Sequence, residues 1–183
     1  MALSDDIDRI LISEDDLQAR VAELGNEISA LYSDEDCPLL VSVLKGSFIF
    51  LADLTRHIDV RHEVDFMVTS SYGAATESSG VVRILLDLES SVEGRHVMIV
   101  EDIVDTGYTL EYITRNMRTR GPASLRVCTL LSKPTRREVD VQLDIIGFEV
   151  PDEFVVGYGL DYAEHYRNLR FVGVLKQQVY ARS

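Results

Sequence analysis

Two apolar runs constrain the fold of this sequence more than anything else in it. LLVSVL, Leu39 to Leu44, and HVMIV, His96 to Val100, are too short for helices and too uniformly apolar to carry a solvent face, so each reads as a strand buried on both sides. A glycine turn and a helical stretch follow each run: Gly46 and about Ser47 to His57 after the first, Gly107 and Leu110 to about Arg120 after the second. Strands alternating with helices imply an α/β fold with a mainly parallel twisted sheet flanked by helices. In such sheets ligands sit at the carboxyl ends of the strands.

The remaining elements fit that frame. Ser13 followed by Glu14, Asp15 and Asp16 is a helix start, and Leu17, Val21, Leu24, Ile28 and Leu31 recur at helical spacing behind it. Further strands are expected at Glu63 to Ser70, Val81 to Leu86, Ser124 to Leu131, Ile145 to Phe148, Phe154 to Gly157 and Phe171 to Leu175. SSYGAATESSG, Ser70 to Gly80, has no apolar period and reads as a long mobile loop, while Lys133-Pro134 opens a basic one. With 183 residues and no repeat or linker, residues 1–183 are expected to form one domain.

Charge narrows the range of partners. A net charge of −13 argues against nucleic acid and against anionic membrane surfaces, which demand an excess of Lys and Arg. Any phosphate must therefore be held in a local pocket, and acidic side chains suit a cation such as Mg²⁺ that carries phosphate oxygens. No apolar run approaches the roughly 20 residues of a membrane span, and the N-terminus lacks the basic-then-apolar order of a signal peptide, so a cytoplasmic protein is expected. Cys37 and Cys128 share no metal-ligand spacing and read as packing residues.

The chemistry concentrates in VEDIVDTGYTL, Val100 to Leu110. Glu101 and Asp102 stand where a buried strand emerges, and the loop Asp105-Thr106-Gly107-Tyr108-Thr109 opens a helix. Backbone N–H groups and hydroxyls at a helix N-terminus form an anion site, and Gly107 lets the chain turn closely around a phosphate. The order is neither that of a Walker loop nor that of a dinucleotide fingerprint.

This segment resembles the phosphoribosyl pyrophosphate (PRPP) motif of the type I phosphoribosyltransferases, and its EDIVDTG form resembles the 6-oxopurine branch. The resemblance extends over roughly residues 10 to 176. It implies a small hood built from the N- and C-terminal segments, and a homodimer or homotetramer. It also implies that Thr106, Gly107, Tyr108 and Thr109 cradle the 5′-phosphate while Glu101 and Asp102 face the ribose, the latter partly through Mg²⁺. Tyr108 departs from the residues usual at its position. VLKGSFIFLADL, Val43 to Leu54, resembles the pyrophosphate loop, with Lys45 and Gly46 against the leaving group and, in relatives, a cis peptide before the glycine. Ser70, Ser71 and Tyr72 resemble the start of a lid over about residues 70–80 that keeps water from the reacting sugar.

LLSKPTRR and FVVGYGLDYAEHYRNL resemble the base-binding segments. On that likeness Lys133 donates to the 6-oxygen of the purine, Phe154 stacks on the ring and the Val155 backbone reads its edge. Asp161 takes Mg²⁺ together with Glu101 and Asp102, and Arg167 meets pyrophosphate. Arg136 and Arg137 read as surface charges, His165 as structural, and the stretch Ile49 to Leu54 as a possible subunit interface. An ammonium at Lys133 favours a 6-oxo over a 6-amino purine, because it has no acceptor for an amino group. Asp105 is the expected catalytic base, taking the proton from N7 of the base. The competing readings are a PRPP-binding RNA regulator on the same fold, which the acidic charge disfavours, and a transferase for another base.

Overall fold

The computed structural model describes residues 3–72 and 81–181. Its central sheet has six strands, β2 (Leu39–Leu44), β3 (Glu63–Tyr72), β4 (Val81–Leu86), β5 (His96–Val104), β6 (Ser124–Ser132) and β7 (Ile145–Glu149), in the order β4-β3-β2-β5-β6-β7. Every pair is parallel except the edge pair β3–β4. From β2 the chain builds outward on one side through β3 and on the other from β5 to β7. The order therefore reverses between β2 and β5, and the loops that leave these two strands splay apart around a crevice.

Helices cover both faces, as the two-sided strands require. The helices α1 (Glu14–Leu31) and α2 (Phe48–Leu54) lie on one face and α3 (Tyr108–Arg118) on the other. The hydroxyl of Ser13 caps α1 by accepting from the Asp16 N–H at 3.1 Å, and Leu17, Val21, Leu24 and Ile28 are fully buried against Leu40, Met98 and Val100. Alternate residues of the same strands, Leu39, Val41, Val97 and Ile99, face Leu110, Ile113 and Met117 of α3.

A second, three-stranded antiparallel sheet in the order β1-β9-β8 joins the two chain ends: β1 (Ile7–Ile12), β8 (Val155–Val156) and β9 (Val172–Leu175). This is the expected hood. No helix among the described residues is long and apolar enough to cross a membrane.

Several expectations need correction. β5 runs on to Val104 because Ile103 and Val104 keep pairing with Leu131 and Ser132, so Glu101 and Asp102 sit within the strand and not at its exit. Within Ile49 to Leu54, the side chains of Phe50, Leu51 and Leu54 are buried in the protein's own core, so only Ile49, Ala52 and Asp53 keep surface there. Cys128 is a core residue, while Cys37 follows the turn at residues 34–36 with φ 38° and is half-buried. The basic loop is a 3-10 turn, Pro134–Arg136. Residues 73–80 of the expected lid lie outside the described residues, and Ser70, Ser71 and Tyr72 are the last residues of β3.

Candidate active site

The loop after β5 enters α3 through Gly107, whose φ of 94° is left-handed. A β-carbon there would also crowd Val139 and the Arg137 side chain at about 3 Å. No side chain caps this helix start, so its first-turn N–H groups stay available to a ligand. Glu101, Asp105, Thr106, Gly107 and Thr109 line a concavity of about 110 Å³, well below the 300 Å³ or more of a pocket for a whole ligand and of a size for one phosphate group. Thr106 is pinned from behind, its carbonyl accepting from the N–H groups of Glu138 and Val139 at 3.0 and 3.3 Å. The Tyr108 hydroxyl bonds Glu138 at 3.1 Å, so this unusual side chain leaves the loop and only its backbone faces the helix start.

The crevice between β2 and β5 holds the next group. The Lys45-Gly46 turn ends β2, follows a cis peptide at Leu44–Lys45, and lies against Asp102, whose carboxylate fills the space a β-carbon on Gly46 would need. Burial raises the Asp102 carboxyl to about 6, opposed by bonds from the Ile103 N–H and by the charge of Arg167. The residue as a whole is half-buried. Glu101, 6% exposed, is pushed well above the usual carboxylate range by burial and then by Asp102 beside it.

A loop after β8 closes on this turn. Arg167 donates to the Gly159 carbonyl and pairs with Asp161, both at 2.8 Å. Glu164 reaches Lys45 at 3.0 Å and Arg167 at 3.4 Å, so one carboxylate joins the two cations expected to meet pyrophosphate.

At the end of β6 stands Lys133, 6% exposed, with its ammonium donating to the Glu153 carbonyl at 2.8 Å. Burial pulls this ammonium below its ordinary range, against the charges of Asp105 and Asp152. The bond to Glu153 occupies one of its three protons. Asp105 Oδ1, shielded from solvent, lies 3.0 Å from Arg136 Nε but off the line a hydrogen bond needs. Phe154, 39% exposed, stacks on Tyr180 with ring centroids 5.1 Å apart and meets Tyr162 edge-on. Val155 is buried and paired with Val174 of β9.

The fold thus gathers Asp105, Lys133 and the anion loop at one end of the crevice, and Lys45, Gly46, Asp102, Asp161 and Arg167 at the other. It does not close Glu101, Asp102 and Asp161 around one point: among the described residues no group of three acidic, His or Cys side chains could hold a metal alone. The residues fit Mg²⁺ in another way. Glu101 and Asp102 are buried acids lacking a full counter-charge, and Mg²⁺ takes one or two carboxylates while substrate oxygens and water fill its other positions.

Arg136 is an exposed charge, as the sequence suggested, but a paired one, while Arg137 is half-buried and not a surface charge. Arg136 bridges Asp105 and Asp152, and Arg137 donates to Ser132 Oγ and the Val104 carbonyl behind the anion loop. Their position three and four residues after Lys133 was the available signal. Tyr180 and Glu164 gave none, since each acts through a fold contact remote in sequence or across a turn.

Comparison with known proteins matches residues 13–163 to the phosphoribosyl transferase domain. The hypoxanthine-guanine phosphoribosyltransferase of Bacillus subtilis is 54% identical over 175 residues, covering 96% of this chain and 97% of the relative. The hypoxanthine phosphoribosyltransferase of Haemophilus influenzae is 52% identical over 166 residues, covering 90% and 93%. A crystal structure of a hypoxanthine phosphoribosyltransferase from Staphylococcus aureus superposes with a TM-score of 0.93 at 46% identity, covering 97% of this chain and 96% of that one.

Proposed function

The chain belongs to the phosphoribosyltransferase family, and on that footing we propose that it salvages purines, moving the 5-phosphoribosyl group from PRPP to hypoxanthine or guanine and releasing pyrophosphate. The observation that carries the 6-oxopurine assignment is Lys133: a buried ammonium with one carbonyl partner, close enough to Asp105 to feel its charge. Its remaining protons suit a 6-oxygen, and a 6-amino group would leave them without an acceptor.

On this reading the concavity at the start of α3 takes the 5′-phosphate through Thr106, Gly107, Tyr108 and Thr109, the Tyr108 contribution being backbone alone. Lys45, Gly46 and Arg167 receive pyrophosphate. Phe154 stacks on the base and the Val155 backbone meets its edge. Purine N9 forms the new bond to the anomeric carbon as the bond from that carbon to the pyrophosphate oxygen breaks, and Asp105 accepts the proton from N7. The developing charge on the departing oxygens falls on Lys45 and Arg167. Glu101 and Asp102 are the carboxylates that would hold Mg²⁺ where substrate oxygens complete its shell, with Asp161 contributing apart from them beside Arg167; the ion would supply positive charge against pyrophosphate and ribose oxygens. Ser70, Ser71 and Tyr72 would begin the lid.

The reading includes a cytoplasmic protein, in keeping with two free cysteines, and one that self-associates. Val64, Phe66 and Leu86 share one face of β3 and β4 and are 38–54% exposed, an apolar strip of the kind that subunit contacts cover. The deciding experiment is a spectrophotometric assay of PRPP with hypoxanthine, guanine, xanthine and adenine, each with Mg²⁺ and with excess chelator. Metal-dependent nucleotide formation from a 6-oxopurine with adenine inert is the expected result; turnover of adenine alone would overturn the role given to Lys133.

A further inference from the structure

We propose that Tyr158 is a positioning residue for the pyrophosphate end of the site, holding the loop that carries Asp161 and Arg167 at a fixed distance from Lys45-Gly46 through a hydrogen bond to Asp53. The inference rests on the reading that Lys45, Gly46 and Arg167 receive pyrophosphate.

Tyr158 lies between two glycines in an unusual stretch of backbone. Gly157, Tyr158 and Gly159 have φ values of 101°, 49° and 102°, three left-handed residues in a row, of which only the glycines adopt that state freely. A tyrosine is held there only if its surroundings determine its conformation. They do so through its side chain. It is 3% exposed, and its hydroxyl donates to Asp53 Oδ2 at 2.7 Å. The same oxygen accepts from Gln18 Nε2 of α1 at 3.1 Å. Burial, and then the bond to this carboxylate, pushes the phenol above its ordinary range, so it remains the donor.

The geometry then runs from this anchor to the site. Asp53 stands on α2, the helix that Lys45-Gly46 opens, the Lys45 carbonyl accepting from the Phe48 N–H. The residue after Tyr158, Gly159, is seated so closely on the Gly46 carbonyl that a β-carbon would overlap it. Gly159 and Arg167 exchange two bonds, the Gly159 N–H to the Arg167 carbonyl at 3.0 Å and Arg167 Nη1 to the Gly159 carbonyl at 2.8 Å. The Tyr158 N–H holds the Leu169 carbonyl at 2.9 Å. Tethering Tyr158 to α2 therefore fixes Gly159 on Gly46, and through Gly159 the separation of Arg167 from Lys45. Without the tether the loop keeps its own internal bonds but loses the one that registers it against α2.

The test is Tyr158→Phe, which keeps the ring and its packing and removes only the hydroxyl. The KM for PRPP is expected to rise about tenfold, within the worth of a hydrogen bond to a charged acceptor, while the KM for the purine stays within about twofold. Asp53→Leu should reproduce this split, and Asp53→Asn, whose amide oxygen still accepts from the phenol, should stay near the parent value. A purely structural role would lower the unfolding midpoint and move both KM values together, or neither, and either result overturns the proposal. Lys45→Ala and Arg167→Gln separate its failure from that of the underlying reading. If these raise the PRPP KM and Tyr158→Phe does not, the tether is wrong; if neither of them does, the pyrophosphate assignment falls and the tether with it.

Discussion

Asp105 and Asp102 are carboxylates three residues apart with opposite demands on them. Asp105 must be ionised to take a proton, so Asp105→Asn is expected to lower kcat about a hundredfold or more while the KM for PRPP stays close to the parent, as steady-state kinetics would show. Asp102 is a buried acid whose carboxyl titrates near 6 where an ordinary one titrates near 3.8. Between those values the folded chain keeps a proton that the unfolded chain gives up, so this residue's contribution to stability is full below about pH 4 and is lost as pH rises through about 6. Chemical denaturation without Mg²⁺ or substrate should therefore show Asp102→Asn gaining on the parent protein across that window, by up to about 3 kcal/mol. A stability difference that stays flat with pH would show that the acid is solvated after all. On the proposed reading a cation bound at Asp102 would offset the cost of burying this charge, so what weakens the empty fold would strengthen the loaded one.

The turn into α3 is where an element, and not a single group, sets the geometry of the proposed phosphate site. Gly107→Ala puts a β-carbon on a left-handed residue, at a cost of about 1–2 kcal/mol before its contacts with Val139 and Arg137 are counted. It should lower the urea midpoint and weaken PRPP binding more than purine binding. Elements of this kind were legible in the sequence because their signals are local. The two-sided strands β2 and β5 declared themselves by composition, α1 by its cap and period, and the anion loop by its glycine and hydroxyls. The elements that were missed or misjudged are specified by distant partners. IDRI of β1 reads as a mixed polar stretch and becomes a strand only because Val172–Leu175 offers it an edge. β5 is longer than its apolar run because β6 continues alongside it, and so two carboxylates are drawn into a strand that composition alone would have ended. Arg137 likewise reads as a solvated charge until the ends of β5 and β6 bring the Val104 carbonyl and Ser132 Oγ to it.

At the scale of the whole molecule, one face of the sheet is incompletely covered. β3 and β4 extend beyond the helices and leave Val64, Phe66 and Leu86 exposed. Size-exclusion chromatography with light scattering should give a mass of at least two chains, and Phe66→Glu should shift it toward one; a monomeric parent protein would remove self-association from the reading. The hood has a consequence of another kind. Phe154 and Val155 meet β9, the last of the described strands, whereas the Lys45-Gly46 turn and the loop into α3 leave β2 and β5, which are made at least 68 residues earlier (172 − 104). At 5–20 residues per second, synthesis separates the two by several seconds. A nascent chain can thus pair the strands of its larger sheet before the hood sheet exists, and the segment carrying Phe154 and Val155 finds its partner strand last.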